Sequence, residues 1–158
     1  VSKPSVYIET TVIGYLTSRQ QSDAIVAGHQ LATPKWWQTA RDKFRLVVSQ
    51  LVIDECARGD QVAAAERVQA ISDLNLVGIT SDVHRIASAL LSRGAVPQTE
   101  PKDAAHIAIA ASHGVEYLVT WNFRHIANPS ARRMIEEVIT SAGFTPPIIC
   151  SPEELSED

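Results

Sequence analysis

Apolar residues along the chain fall into short dense runs separated by longer stretches in which they recur every three or four positions. The short runs are SVYI at 5–8, RLVVS at 45–49, LNLVGI at 74–79, EYLVT at 116–120 and PIIC at 147–150. Short runs rich in β-branched and aromatic side chains predict strands, and the 3.6-residue spacing between them predicts helices. Their alternation predicts an α/β fold, a three-layer α/β/α sandwich around a parallel sheet of about five strands.

Punctuation places the helices. Ser22 with Asp23 offers a cap for a long helical region between the first two strands; Thr33 followed by Pro34 predicts a second cap, hence two helices meeting there. Gly59 and Asp60 divide one helix holding LVIDECAR from another through VAAAERVQAI. A helix from Asp82 to Ser92 closes on Arg93 and Gly94, and Pro101 opens KDAAHIAIAASHG, which stops at Gly114. A long helix is expected from about Ser130 to Ser141, and Ser151 with Pro152 caps a short C-terminal one. No repeat, linker or low-complexity run divides the chain, so a single domain over 1–158 is expected.

Composition narrows the class. A domain of 158 residues buries about 68–70 % of its unfolded surface and needs no metal or disulfide to fold. The chain is 45 % hydrophobic and 20 % charged, without an apolar run long enough for a membrane span, so a soluble protein with no membrane association is expected. The opening VSKPSV lacks the pattern of a secretory signal, and the cytoplasm is the expected compartment. Cys56 and Cys150 have no metal-ligand spacing and read as two buried free thiols. A net charge of -4 argues against a protein that holds nucleic acid by bulk charge, but not against a nuclease, whose metal site must concentrate carboxylates.

Four oxygen-bearing side chains map to one rim of the predicted sheet. Ligands of open parallel sheets bind beyond the C-terminal ends of the strands. Glu9 follows the first strand directly, Glu55 comes about one and a half helical turns after the second, Asp103 lies in the first turn of its helix, and Asn122 follows EYLVT. Taken singly, each has a plainer role: Glu9 as an exposed strand-end residue, Glu55 as a surface acid, Asp103 as a first-turn acid favoured by the helix dipole. The helix after Asp103 is apolar nearly all round and is expected to be buried, so an acid at its mouth needs compensation, for which a metal ion is one means. His106 shares the face of Asp103, where a packed, hydrogen-bonded role is its plainer reading.

The set YIETTVIGYL, SQLVIDE and KDAAHIAIAASHGVEYLVTWNFRHI, in that order and spacing, resembles the PIN-domain family, especially the VapC-type toxins of bacterial toxin-antitoxin modules. The matched residues are Glu9, Thr10 and Thr11; Ser49 and Glu55; Asp103, His106 and Ala110; and Thr120, Trp121 and Asn122. The resemblance implies a three-layer fold and an endoribonuclease using Mg2+ or Mn2+. It implies Glu9 and Asp103 as principal metal ligands, Glu55 as a ligand or water-mediated contact, and Asn122 as a neutral oxygen donor. Thr11, Thr120 and His106 are supporting residues. Two positions depart from the family's usual pattern: Glu9 stands for an Asp, and Asn122 for another. The second change removes a charge, which implies a second metal held weakly or only with substrate phosphate.

RNA is the expected substrate, an antitoxin the possible protein partner, and a homodimer the expected assembly. Trp121, Arg124 and His125 are candidate nucleic-acid contacts, Trp121 by stacking on a base. Trp36, Trp37 and Phe44 read as core packing or as an interface patch. Two other functions remain open: a structure-selective DNA nuclease, since the same chemistry serves both backbones, and a binding module that kept the fold and lost activity.

Overall fold

The computed structural model describes residues 2–19 and 21–156; the outermost ends of the expected 1–158 domain lie outside them. Five strands form one parallel sheet: β1 (Ser5–Ile8), β2 (Arg45–Ser49), β3 (Asn75–Val77), β4 (Tyr117–Val119) and β5 (Ile148–Cys150). Their order is β3-β2-β1-β4-β5. The chain thus builds outward on one side of β1, then returns to build on the other. Tyr7 pairs with Val47 of β2 and with Leu118 of β4, so β1 is central. The crevice between β1 and β4, where the direction of winding reverses, is the place such sheets bind ligands.

Seven helices flank the sheet among the described residues: α1 (Thr10–Thr17), α2 (Ala24–Lys43), α3 (Gln50–Cys56), α4 (Gln61–Ile71), α5 (Ser81–Ser92), α6 (Pro101–Ser112) and α7 (Pro129–Ser141). Helices α1, α2, α3 and α4 pack together, as do α5, α6 and α7. Every residue of β1 is buried, as is most of α6, from Ala104 and His106 through Ala111. The near-continuous apolar character of these two segments is what burial on all sides requires. Cys56 and Cys150 are free and buried, and burial pushes their thiols up to about 11 and about 12 respectively. No helix of the described residues is long and apolar enough to cross a membrane.

Two local expectations are corrected, and one helix appears for which no limit was marked. The two helices expected to meet at Thr33 and Pro34 are one, α2, capped by Asp23, whose Oδ1 accepts from the Ile25 and Val26 amides at 3.0 Å each. Pro34 has no N–H to give and costs a helix interior about 3 kcal/mol. Packing of Thr33, Trp36 and Ala40 into the core carries the helix through it. The residues after Glu9 form a helix of their own, α1, although Thr10, Thr11, Val12 and Ile13 are all β-branched. The short C-terminal helix is only a turn: the Leu155 amide reaches the Ser151 carbonyl four residues back at 3.1 Å, and the next bond, from the Ser156 amide to the Glu153 carbonyl at 3.3 Å, already spans only three.

Candidate active site

Glu9 stands where β1 becomes α1. Its amide continues the ladder to the Val119 carbonyl at 3.1 Å, while its own carbonyl accepts the Val12 amide at 3.0 Å as the first bond of the helix. The side chain is only 3 % exposed. Its Oε1 accepts the hydroxyls of Thr11 at 2.5 Å and Thr120 at 2.6 Å. Each hydroxyl is itself aimed: Thr11 Oγ1 accepts the Trp121 amide and Thr120 Oγ1 the Asn122 amide, both at 2.9 Å. A hydroxyl has one proton, and with its lone pairs facing an N–H that proton is left for the carboxylate. Glu9 is therefore held as an acceptor by threonines from the two sides of the crevice.

Glu55 comes from α3, whose N-cap Ser49 ends β2. Its Oε1 accepts Thr10 Oγ1 at 2.8 Å and meets His106 Nε2 at 2.6 Å. Partial burial pushes the carboxyl up; the hydrogen bonds from His106 and Thr10 and the charge of Lys102 together outweigh it, leaving Glu55 below its ordinary value. Behind the imidazole, Nδ1 meets the Tyr7 hydroxyl at 2.8 Å, and that hydroxyl meets Ser49 Oγ at 2.8 Å. Burial raises the Tyr7 phenol, so it stays neutral. Proton accounting closes with His106 donating from Nε2 to Glu55, Tyr7 donating to Nδ1 and Ser49 donating to Tyr7. A buried relay thus ties β1, β2 and α6 to the one carboxylate.

Asp103 sits one turn before His106 in α6. Its Oδ2 lies 3.0 Å from His125 Nδ1. His125 is brought there by Asn122, whose Oδ1 accepts the His125 amide at 3.0 Å while its carbonyl accepts those of Ile126 and Ala127 at 3.3 and 2.8 Å. Asn122 thus folds the turn after β4, and its side-chain oxygen faces the backbone. Glu100, the N-cap residue of α6, completes this corner with Oε1 3.9 Å from His125 Nδ1. Ligand atoms of Glu100, Asp103 and His125 all lie within 4.8 Å of one another. Glu100 had no place among the candidates from the sequence; its signal was an acid beside Pro101 at the mouth of the buried helix.

Glu9, Glu55 and Asp103 line one rim, linked through adjacent Thr10 and Thr11 and through the turn of α6 between Asp103 and His106. They are not drawn together as tightly as Glu100, Asp103 and His125 are. Each is engaged by its own partners: Glu9 by two hydroxyls, Glu55 by a hydroxyl and an imidazole, Asp103 by a second imidazole.

The aromatic residues beside the rim divide into packed and exposed. Trp121 is buried: its indole stacks on His29 with ring centroids 3.9 Å apart, and Nε1 donates to Thr33 Oγ1 at 2.8 Å. This packing leaves its faces to protein neighbours rather than to a base. Phe123, 44 % exposed, packs edge-on to Trp121 and His29 and is the aromatic side chain open to solvent there. Arg124 is exposed next to it. Trp36 is in the core, while Trp37 is half-buried with the Arg41 guanidinium 5.8 Å from its ring centre.

No protein-family model matches the chain, and no curated protein matches it by sequence. Solved structures do. VapBC2 from Rickettsia felis, bound to a DNA fragment from its promoter, superposes with a TM-score of 0.60 at 11 % identity, over 93 % of this chain and 98 % of that one. Mycobacterium tuberculosis VapC20, described as a sarcin-ricin loop cleaving toxin, gives a TM-score of 0.56 at 16 % identity, over 89 % of this chain and 96 % of that one. With its five parallel strands and the helices that flank them, the chain has the PIN-like α/β/α fold of VapC structures.

Proposed function

We propose that this chain is an endoribonuclease that hydrolyses RNA phosphodiester bonds with Mg2+ or Mn2+, and that it serves as the toxin of a toxin-antitoxin pair. The observation that supports the reading is the placement of Glu9, Glu55 and Asp103 along the switch-point rim, each engaged by hydroxyls or imidazole. Carboxylates without a compensating cation are costly to hold in a half-buried rim, and an oxygen-rich set of this kind suits hard divalent ions. The donor chemistry fits such an ion, with Glu9, Asp103 and Glu55 as the residues that would hold it. When bound, it supplies water activation and stabilisation of the leaving oxygen.

The chain's own residues have defined parts. Thr11 and Thr120 keep Glu9 pointed into the crevice. His106 and Thr10 keep Glu55 anionic and oriented, so that it offers lone pairs to a water molecule near the phosphate. Asn122 acts through the turn it folds, and its amide does not replace the charge of an acid. Phe123 and Arg124 offer an exposed ring and a cation to a single strand, in the place expected of Trp121. Likeness in fold to VapC20 and to the VapBC2 complex supports ribonuclease activity and an antitoxin partner. A cytoplasmic homodimer built from one domain per chain belongs to the same reading.

The test is cleavage of an RNA panel with Mg2+ or Mn2+, with and without chelator, beside Asp103→Asn. Metal-dependent cutting abolished by the substitution is expected. Equal cutting of DNA oligonucleotides would replace ribonuclease by general nuclease.

A further inference from the structure

We infer that His125 and Glu100 are metal ligands beside Asp103, and that they give the site a preference for Mn2+ over Mg2+. The inference rests on the metal-nuclease reading and specifies its cation. In the resembling family an acid is usual at the position of Asn122, and here that position is neutral. Its side-chain oxygen, Oδ1, is committed to the His125 amide at 3.0 Å. What the turn delivers to Asp103 is an imidazole, with Nδ1 3.0 Å from Asp103 Oδ2 and 3.9 Å from Glu100 Oε1.

The Nδ1–Oδ2 contact is a hydrogen bond, and once its proton is released to solvent the same separations suit a coordination set. Oxygen and nitrogen atoms that bind one divalent ion at about 2.0 to 2.2 Å stand about 3 to 4.3 Å from one another. The three ligand atoms lie within 4.8 Å, so small side-chain movements suffice. Nor is His125 a loose surface residue. The turn that carries it is pinned by the Ile126 and Ala127 amides on the Asn122 carbonyl, and both of those side chains are buried. The ligand side chains remain reachable, at 40 % exposure for Glu100, 16 % for Asp103 and 20 % for His125.

Selectivity follows from the donor atoms. Mg2+ asks for oxygen in near-octahedral geometry and is reluctant to lose water, whereas imidazole nitrogen suits first-row transition ions. Two carboxylates and one imidazole therefore favour Mn2+ of the two cations considered. Glu100 also restores the negative charge that Asn122 lacks, from the helix cap rather than from the strand end.

Pulsed electron paramagnetic resonance of Mn2+ bound to the intact chain reads the ligand atom. The expected spectrum shows coupling to a directly bound imidazole nitrogen, lost in His125→Asn, which keeps a side-chain donor near the Nδ1 position for Asp103. Calorimetric titration should show Mn2+ affinity falling about 10- to 100-fold in His125→Asn and in Glu100→Gln, and Mg2+ affinity falling less in His125→Asn. Circular dichroism checks that each variant is folded. Bound Mn2+ without nitrogen coupling, no binding of Mn2+ by the unaltered chain, or unchanged affinity in folded His125→Asn would overturn the inference. RNA cleavage scored on the same samples separates the two readings. Cutting with no nitrogen coupling defeats the ligand assignment alone, and nitrogen coupling without cutting defeats the nuclease alone.

Discussion

His106 Nε2 lies 2.6 Å from Glu55 Oε1, and the other nitrogen of the same ring is 2.8 Å from the Tyr7 hydroxyl. One imidazole thereby joins a rim carboxylate to the central strand. His106→Ala removes the donor to Glu55 and leaves the Tyr7 hydroxyl with only Ser49 as a side-chain partner. A buried group deprived of a partner costs about 1–3 kcal/mol, and loss of a residue that orients a site ligand costs about 10- to 100-fold in activity. His106→Gln, which keeps a donor, should recover part of the activity. Denaturant unfolding and cleavage rates on the two variants check this; full activity in His106→Ala would show that Glu55 needs no such support.

The ionisation of Glu55 makes the relay sensitive to acid. Its folded value lies below the ordinary 4.5, because His106, Thr10 and Lys102 outweigh the effect of burial. The unfolded chain therefore binds the proton more readily. The stabilisation is present above about 4.5 and is lost as the pH falls below that value through the folded one. Unfolding of the unaltered chain and of Glu55→Gln, compared from neutral pH downward, should differ most at neutral pH and converge in acid. A difference that grows in acid would contradict the assignment.

Thr11 and Thr120 donate to the same oxygen of a nearly inaccessible carboxylate. Replacing either with Val should cost about 1.5–3 kcal/mol, the range for hydrogen bonds to charged groups. Because both serve one atom, the double variant should lose an amount different from the sum of the two, by 0.5 kcal/mol or more on the order of coupled neighbours. A double-mutant cycle by chemical denaturation measures this coupling, and strict additivity would place the hydroxyls outside a common site.

Trp121 is expected to matter for folding rather than for RNA affinity. Its stacking on His29 and its hydrogen bond to Thr33 make Trp121→Ala a large-to-small core change, worth about 3–5 kcal/mol. Phe123→Ala should leave stability within about 1 kcal/mol and weaken single-strand binding by about 1–3 kcal/mol if its ring stacks on a base. Thermal unfolding and oligonucleotide titration on both variants separate the roles.

Much of this was legible in the residues. The apolar runs located all five strands, and the buried character of α6 followed from its uninterrupted Ala and Ile content. Asp23, Gly59 with Asp60 and Pro101 marked helix limits because caps act through neighbouring residues. What escaped depended on partners far along the chain. Pro34 reads as a helix start until Trp121, 88 positions later than Thr33, is seen packed on that helix. Helix α1 carried no marked limit in the sequence, and Thr10 and Thr11 gain their parts only from Glu55 and Glu9, the acceptors of their hydroxyls. Glu100 was hidden for a similar reason, since only the turn folded by Asn122 brings His125 within reach of it.

The nuclease reading stands or falls on metal-dependent RNA cleavage. With Mg2+ or Mn2+ present, the unaltered chain should cut RNA, should stop when a chelator is added, and should resume when the ion is restored; folded Asp103→Asn should stay inactive throughout. Cleavage that persists in chelator or in Asp103→Asn would contradict it.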